Sequence, residues 1–382
     1  MPVSLALAAL SAILCALALP NEVFISGLWP LGFIAILPLI VALKASATPR
    51  RAALVGAVFG SLHHCLTSYW LFFYKGFAFW TLGSTAVGYA IVYAVAALYG
   101  WYCLHRGNAA YRALFFALGW TAFEYFKSTG FLGYPWGLLA YSLTSLPVFL
   151  QIADVTGVYG LSLLLSYFSA ALSELVVING GSSRKSIFPR HLAMALVCTV
   201  LILAYGSARL SANFPIRGTL RAVLVQQNTD PWVAGEAATL DANVRLARRA
   251  IDENAAAGGE VPNLIVFSET SLRRPYAEYR SWFASHPKEL SLAALLRSSG
   301  ASLLTGAPVV LDWETYRATN STLLILPDGT LAASYAKMHP VPFAEAIPLW
   351  EYEWFRKFMR ENPVRRVHAA TVAPPFPRGV PR

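Results

Sequence analysis

The chain has 382 residues, of which 56% are hydrophobic and only 13% charged, with a mean hydropathy of +0.50. Soluble domains carry about 25% charged residues, so this balance excludes an ordinary soluble protein and points to a membrane protein. The formal net charge of +10 sits on Lys and Arg that flank apolar segments or crowd the last residues, which fits topology determinants and anionic lipid rather than nucleic acid.

Long apolar runs recur up to Ala208, and charges, prolines and alternating patterns take over from Arg209, so residues 1–208 read as a membrane half and the rest as a water-soluble half. A span needs about 20 mostly apolar residues. Seven segments qualify: 4–20, 26–43, 52–73, 81–103, 111–127, 150–177 and 191–208. The first lacks the basic n-region of a signal peptide and reads as a retained span. Basic residues collect in alternate loops: Lys44, Arg50 and Arg51, then His105, Arg106 and Arg112, then Arg184, Lys185 and Arg190. The positive-inside rule makes these loops cytoplasmic, which puts the N-terminus in the cytoplasm and the soluble half outside.

Two stretches of the membrane half carry more than apolar filler. Phe123–Ser142 places Glu124 and Lys127 near the end of a span, ahead of a Gly/Pro/aromatic run. Acids at that depth face a polar cavity or a partner, or pair locally, here with Lys127 at i,i+3. Gln151–Leu165 brings Gln151 and Asp154 into an apolar helix, where Gly157 and Gly160 would permit close helix packing. His63 and His64 are adjacent and so point about 100° apart on a helix, which argues against a metal pair. The cysteines Cys15, Cys65, Cys103 and Cys198 all lie in apolar segments and read as buried, inert thiols.

In the soluble half, Thr219–Gln226 reads as a strand broken at Asn228–Trp232. Leu240, Val244, Ala247 and Ile251 share one face of a helix over Ala238–Ala255. The run Leu264 to Phe267 is a short buried strand that stops at Ser268 and Glu269, putting an acid at a strand end. A helix over Pro287–Arg297, a strand over Ala301–Val310 and a hairpin of Ser321–Leu326 with Leu331–Ala336 around Pro327-Asp328-Gly329 complete an α/β layered domain. Lys337 then sits at another strand end, and Glu345 follows between prolines. A base, a cation and a second acid at strand ends suit general-base and oxyanion chemistry; ordinary surface charge is the alternative.

The SET after an apolar strand, the PDG hairpin leading into YAKMHPVPFAEAIPL, and the membrane stretches YPWGLLAYS and DVTGVYGLS together resemble the apolipoprotein N-acyltransferases, membrane enzymes of the nitrilase superfamily. The resemblance runs from the first span to about Trp350. It implies a multi-pass α-helical membrane bundle plus an α/β nitrilase-like αββα sandwich domain, here incomplete. It implies a cysteine that takes a fatty acyl group from a phospholipid and passes it to the N-terminal amine of a diacylglyceryl-cysteine apolipoprotein, at the outer face of the cytoplasmic (inner) membrane. By motif position Glu269 is the base, Lys337 the oxyanion-stabilising lysine, Glu345 the supporting acid and Trp232 a substrate-binding residue of the cleft. No cofactor is implied, and no metal or nucleotide motif is present.

One departure stands out: in the family the nucleophilic cysteine lies a few dozen residues beyond the lysine, and here no cysteine follows Lys337. The soluble domain is accordingly expected over 209–361, with 362–382 an aberrant or disordered Pro/Arg-rich tail, as from a truncated or frameshifted reading frame. Transferase activity is expected to be lost in this polypeptide. The competing readings are a membrane-tethered nitrilase-type amidase and a non-catalytic membrane scaffold.

Overall fold

The computed structural model describes residues 1–73, 78–176, 188–228, 235–279, 291–312, 317–341, 349, 352–355 and 357. The expected tail, Trp232, Glu345 and the start of the helix expected at Pro287 lie outside the described residues. The chain forms two compact units, Met1–Phe214 and Pro215–Arg382.

The first unit is helical: α1 (Pro2–Ala18), α2 (Leu37–Lys44), α3 (Pro49–Thr67), α4 (Ala78–Arg106), α5 (Arg112–Ser128), the short α6 (Pro147–Leu150) and α7 (Ala153–Thr156), α8 (Tyr159–Ser173) and α9 (Phe188–Ser211). Each expected span contains helix, but among the described residues only Thr81–Arg106 and Arg190–Ser211 are long and apolar enough to cross a membrane. A third is possible if Pro147–Thr156 and Tyr159–Ser173, bent by 113°, form one broken span. The 17-residue α1 and α5 reach about 26 Å at 1.5 Å per residue, short of a hydrocarbon core of about 30 Å.

The bend lies at Gly157, whose φ of +59° an L side chain rarely adopts. Gly157 therefore serves a break in the helix, not the close helix packing expected of it. Ala8, Leu39, Phe59, Tyr93, Trp120 and Leu165 bury into one core, so α1 is an integral member of the bundle. Two loop charges of the sequence reading are also inside: Lys44 and Arg112 both pair with the carboxylate of Glu174, just past α8. Lys44 Nζ donates to Glu174 Oε1 at 3.1 Å and to Ser173 O at 2.6 Å, and Arg112 Nε donates to Oε1 at 3.0 Å. The cysteines are all free; Cys15 and Cys103 are buried, but Cys65 and Cys198 are only half-buried.

The second unit is built on a five-stranded sheet in the order β1 (Ala222–Val225), β2 (Leu264–Phe267), β3 (Ser302–Asp312), β4 (Arg317–Ile325), β5 (Leu331–Ala336). The first two pairings are parallel, with the connections carrying α10 (Glu236–Ala256) and α11 (Ser291–Ser299); the last two are antiparallel hairpins. On α10, Leu240, Asn243, Val244 and Ala247 are buried at helical spacing, while Asp241–Arg245 and Arg249–Glu253 form exposed i,i+4 pairs. Ile265, Phe267, Leu303, Leu323 and Ile325 on one sheet face join Leu292, Leu295 and Leu296 of α11 in the core. Each such side chain contributes about 1.5–3 kcal/mol on burial. The other face carries Leu224, Val266, Leu304 and Leu324, aligned across four strands by the register.

Candidate functional site

The sheet topology decides which side chains meet. β2 and β3 run parallel, β4 returns, and β5 runs with β3 again, so the end of β2, the first half of β4 and the end of β5 share one edge. That edge receives Glu269, Asn320 and Lys337. Lys337 Nζ donates to Glu269 Oε1 at 3.1 Å, and Asn320 Nδ2 donates to the same oxygen at 2.8 Å. The Lys337 amide also donates to Asn320 O at 2.8 Å, which ties the lysine's backbone to β4.

Both donors converge on Oε1, and among the described residues Oε2 has no hydrogen bond. The pair is open to water, with the Glu269 side chain 62% exposed, so it adds little stability, about 0–1 kcal/mol. What it supplies is chemistry: a carboxylate oriented by two donors with one oxygen free to take a proton, beside a cation suited to a developing oxyanion.

Two further residues hold this corner and were not singled out in the sequence. Asn320 is one; Gly306 on β3 is the other. A Cβ on Gly306 would lie 2.5 Å from Thr270 N and 3.1 Å from Glu269 Cα, so only glycine lets the turn after β2 cross the strand. Thr270 takes a φ of +57°, and Leu272 N donates to Gly306 O at 3.0 Å. A glycine inside a strand pattern is the signal that marks such a crossing. Ser268 Oγ turns to Gln227 Oε1 at 3.0 Å and takes no part in the Glu269 cluster.

The sequence-expected residues thus divide. Glu269 and Lys337 are brought together; Glu345 and Trp232 lie outside the described residues; all four cysteines belong to the first unit.

Inside the first unit a second polar cluster organises the segment 129–143. Glu124 Oε1 accepts from Trp120 Nε1 (3.1 Å) and from Leu139 N (2.9 Å), and its Oε2 accepts from Ser162 Oγ (2.5 Å). Lys127 Nζ donates to Trp136 O at 2.7 Å, Trp136 Nε1 to Thr67 O at 2.7 Å, and Tyr134 Oη to Ser68 Oγ at 3.1 Å. The local Glu124–Lys127 hydrogen bond is not made; both charges are spent on pinning the YPWG turn against α3 and α8. His64 Nε2 bonds Thr85 Oγ1 at 2.8 Å, and His63 stacks on Phe59, so the two histidines serve packing.

Residues 11–171 match the model of the apolipoprotein N-acyltransferase N-terminal domain. Over 361 residues the chain is 36% identical to apolipoprotein N-acyltransferase 2 of Treponema pallidum, covering 89% of this chain and 64% of the relative. The chain is thus similar to the apolipoprotein N-acyltransferases over about nine tenths of its length. A Treponema denticola relative, also named apolipoprotein N-acyltransferase 2, is 31% identical over 89% of this chain and 65% of its own length. The apolipoprotein N-acyltransferase of Borreliella burgdorferi is 27% identical over 93% of this chain and 67% of its own. The chain therefore spans about two thirds of these acyltransferases, and the aligned part takes in both the membrane cluster and the Glu269 edge.

Proposed function

We propose that these residues form the membrane part and the acid–base half of an N-acyltransferase that moves a fatty acyl group from a phospholipid to the N-terminal amine of a diacylglyceryl apolipoprotein. The observation that carries the reading is the convergence of Asn320 and Lys337 on Glu269 Oε1, which leaves Oε2 as a proton acceptor. In this reading Glu269 activates a thiol and then the incoming amine, and Lys337 stabilises the oxyanion of each tetrahedral intermediate. Glu345 supports the pair, and Trp232 lines the cleft. The open apolar row of Leu224, Val266, Leu304 and Leu324 supports a second sheet stacked there, as in an αββα sandwich.

The exposed arginines Arg50, Arg51 and Arg106 support a cytoplasmic placement of their loops, with about seven passes in an inner membrane and the second unit on the periplasmic side. No cysteine follows Cys198, so we propose that the 382 residues by themselves do not form the acyl thioester.

The test is a chimera in which the segment following the Lys337 equivalent of the Treponema pallidum relative is joined after this chain's Lys337. The chimera is expected to N-acylate lipoproteins in a strain depleted of its own enzyme, and the 382-residue chain is not. A hydroxylamine-sensitive acyl adduct on the 382-residue chain alone would contradict the assignment, as would a folded but inactive chimera.

A further inference from the structure

The geometry points to a binding site for one acyl chain of an anionic phospholipid in the groove between α4 and α5, with its phosphate at Arg106. This rests on the reading that the first unit is embedded in a membrane. The groove encloses about 740 Å³ and is lined by apolar and aromatic side chains, among them Val92, Val95 and Tyr99 of α4 and Phe115, Ala122 and Phe126 of α5. Its base is built by a close contact: Tyr99 lies over Gly119, where any Cβ would come within 1.9 Å of the ring, and donates its hydroxyl to Phe115 O at 3.0 Å.

Length and charge select the occupant. From Phe115 to Phe126 the groove follows α5 for about 16 Å at 1.5 Å per residue, close to one leaflet of a hydrocarbon core about 30 Å thick. It starts beside the α4–α5 turn, so it faces the leaflet on the side of the basic loops. Along α4, Val92, Val95, Tyr99 and Arg106 recur at i, i+3, i+7 and i+14, which puts Arg106 on the groove's own stripe about two turns beyond Tyr99. Arg106 is exposed and has no ion pair or hydrogen bond among the described residues. Exposed Tyr102 and Tyr111 flank that end, where amphipathic rings suit the headgroup level. An apolar slot one leaflet long, ending at an unpaired guanidinium, matches a chain with a phosphate at its head. Only the phosphate end of this slot, at the start of α5, lies away from Glu124 near the helix's other end, and the lipid held here is proposed as retained and not consumed.

The experiment is native mass spectrometry of the 382-residue chain released from nanodiscs of mixed phosphatidylglycerol and phosphatidylcholine. The wild type is expected to retain one phosphatidylglycerol. Arg106→Gln should weaken that preference about fivefold. Ala122→Phe, on an exposed position of the groove wall, should abolish retention while leaving the melting temperature unchanged. Equal retention of the two lipids by all three proteins, as for annular lipid, overturns the site. Release of the chain from membranes by alkaline carbonate contradicts instead the membrane reading on which the site rests.

Discussion

Replacing Glu124 separates a pinned turn from a merely buried acid. Its carboxylate is the acceptor for three donors: Trp120 Nε1, Leu139 N and Ser162 Oγ. Leucine has a similar volume and no acceptor, so Glu124→Leu leaves three buried donors, each costing about 1–3 kcal/mol. The serine hydroxyl can rotate to another acceptor, but the Leu139 amide and the Trp120 indole cannot, so the loss should be about 2–6 kcal/mol. That is a large part of the 5–15 kcal/mol by which native proteins are stable. Glu124→Gln keeps Oε1 for the indole and the amide and can donate to Ser162 Oγ, so it should cost only about 1 kcal/mol. Thermal unfolding in detergent should rank wild type, Gln and Leu in that order. Limited proteolysis should cut the Leu variant first within 129–138. Equal melting of Gln and Leu, or cleavage elsewhere first, would refute the view that this carboxylate holds the turn.

Gly306→Ala should displace the turn at Glu269 and Thr270, destabilising the second unit by about 1–3 kcal/mol, and should lower the activity of the chimera far more than its melting temperature. Glu174→Leu leaves Lys44 and Arg112 buried without their anion, and a loss of about 3–5 kcal/mol is expected by chemical denaturation. Tyr279 donates to Glu236 and accepts from Arg273 N at 3.1 Å, and burial followed by the Glu236 carboxylate holds its phenol above the usual range. A raised folded-state value means that the stability it contributes is complete below pH of about 10 and is lost above it. Tyr279→Phe should therefore be less stable than wild type at pH 8, and the gap should narrow above pH 10 in paired melts.

Local pattern made much of the second unit legible. The apolar run at Leu264 to Phe267 is β2 to the residue, because four β-formers between polar ends leave no other choice. The helix read over Ala238–Ala255 is α10, two residues longer at its start and one at its end. Register was not legible: Asn320 meets Glu269 because β4 pairs Asn320 with Pro308, a relation between residues with no shared local pattern. β4 also begins at Arg317 and not Ser321, since its polar first half is held by pairing with β3. In the first unit, apolar runs marked the helices but not their company. Lys44 and Arg112 look like loop charges until Glu174, more than 60 residues beyond either, closes over them. Glu124 likewise finds its partners 15 and 38 residues away.

The most direct test of the central claim is the pre-steady-state rate of acyl-thioester formation in the chimera with Glu269→Gln. Glutamine preserves the volume and the acceptor for Asn320 and Lys337, yet it cannot take a proton at the free position. The proposed role predicts a fall of about 10²–10⁴-fold with an unchanged melting temperature. A rate within threefold of the parent's, roughly 0.6 kcal/mol, would show that Glu269 is surface charge and not the base.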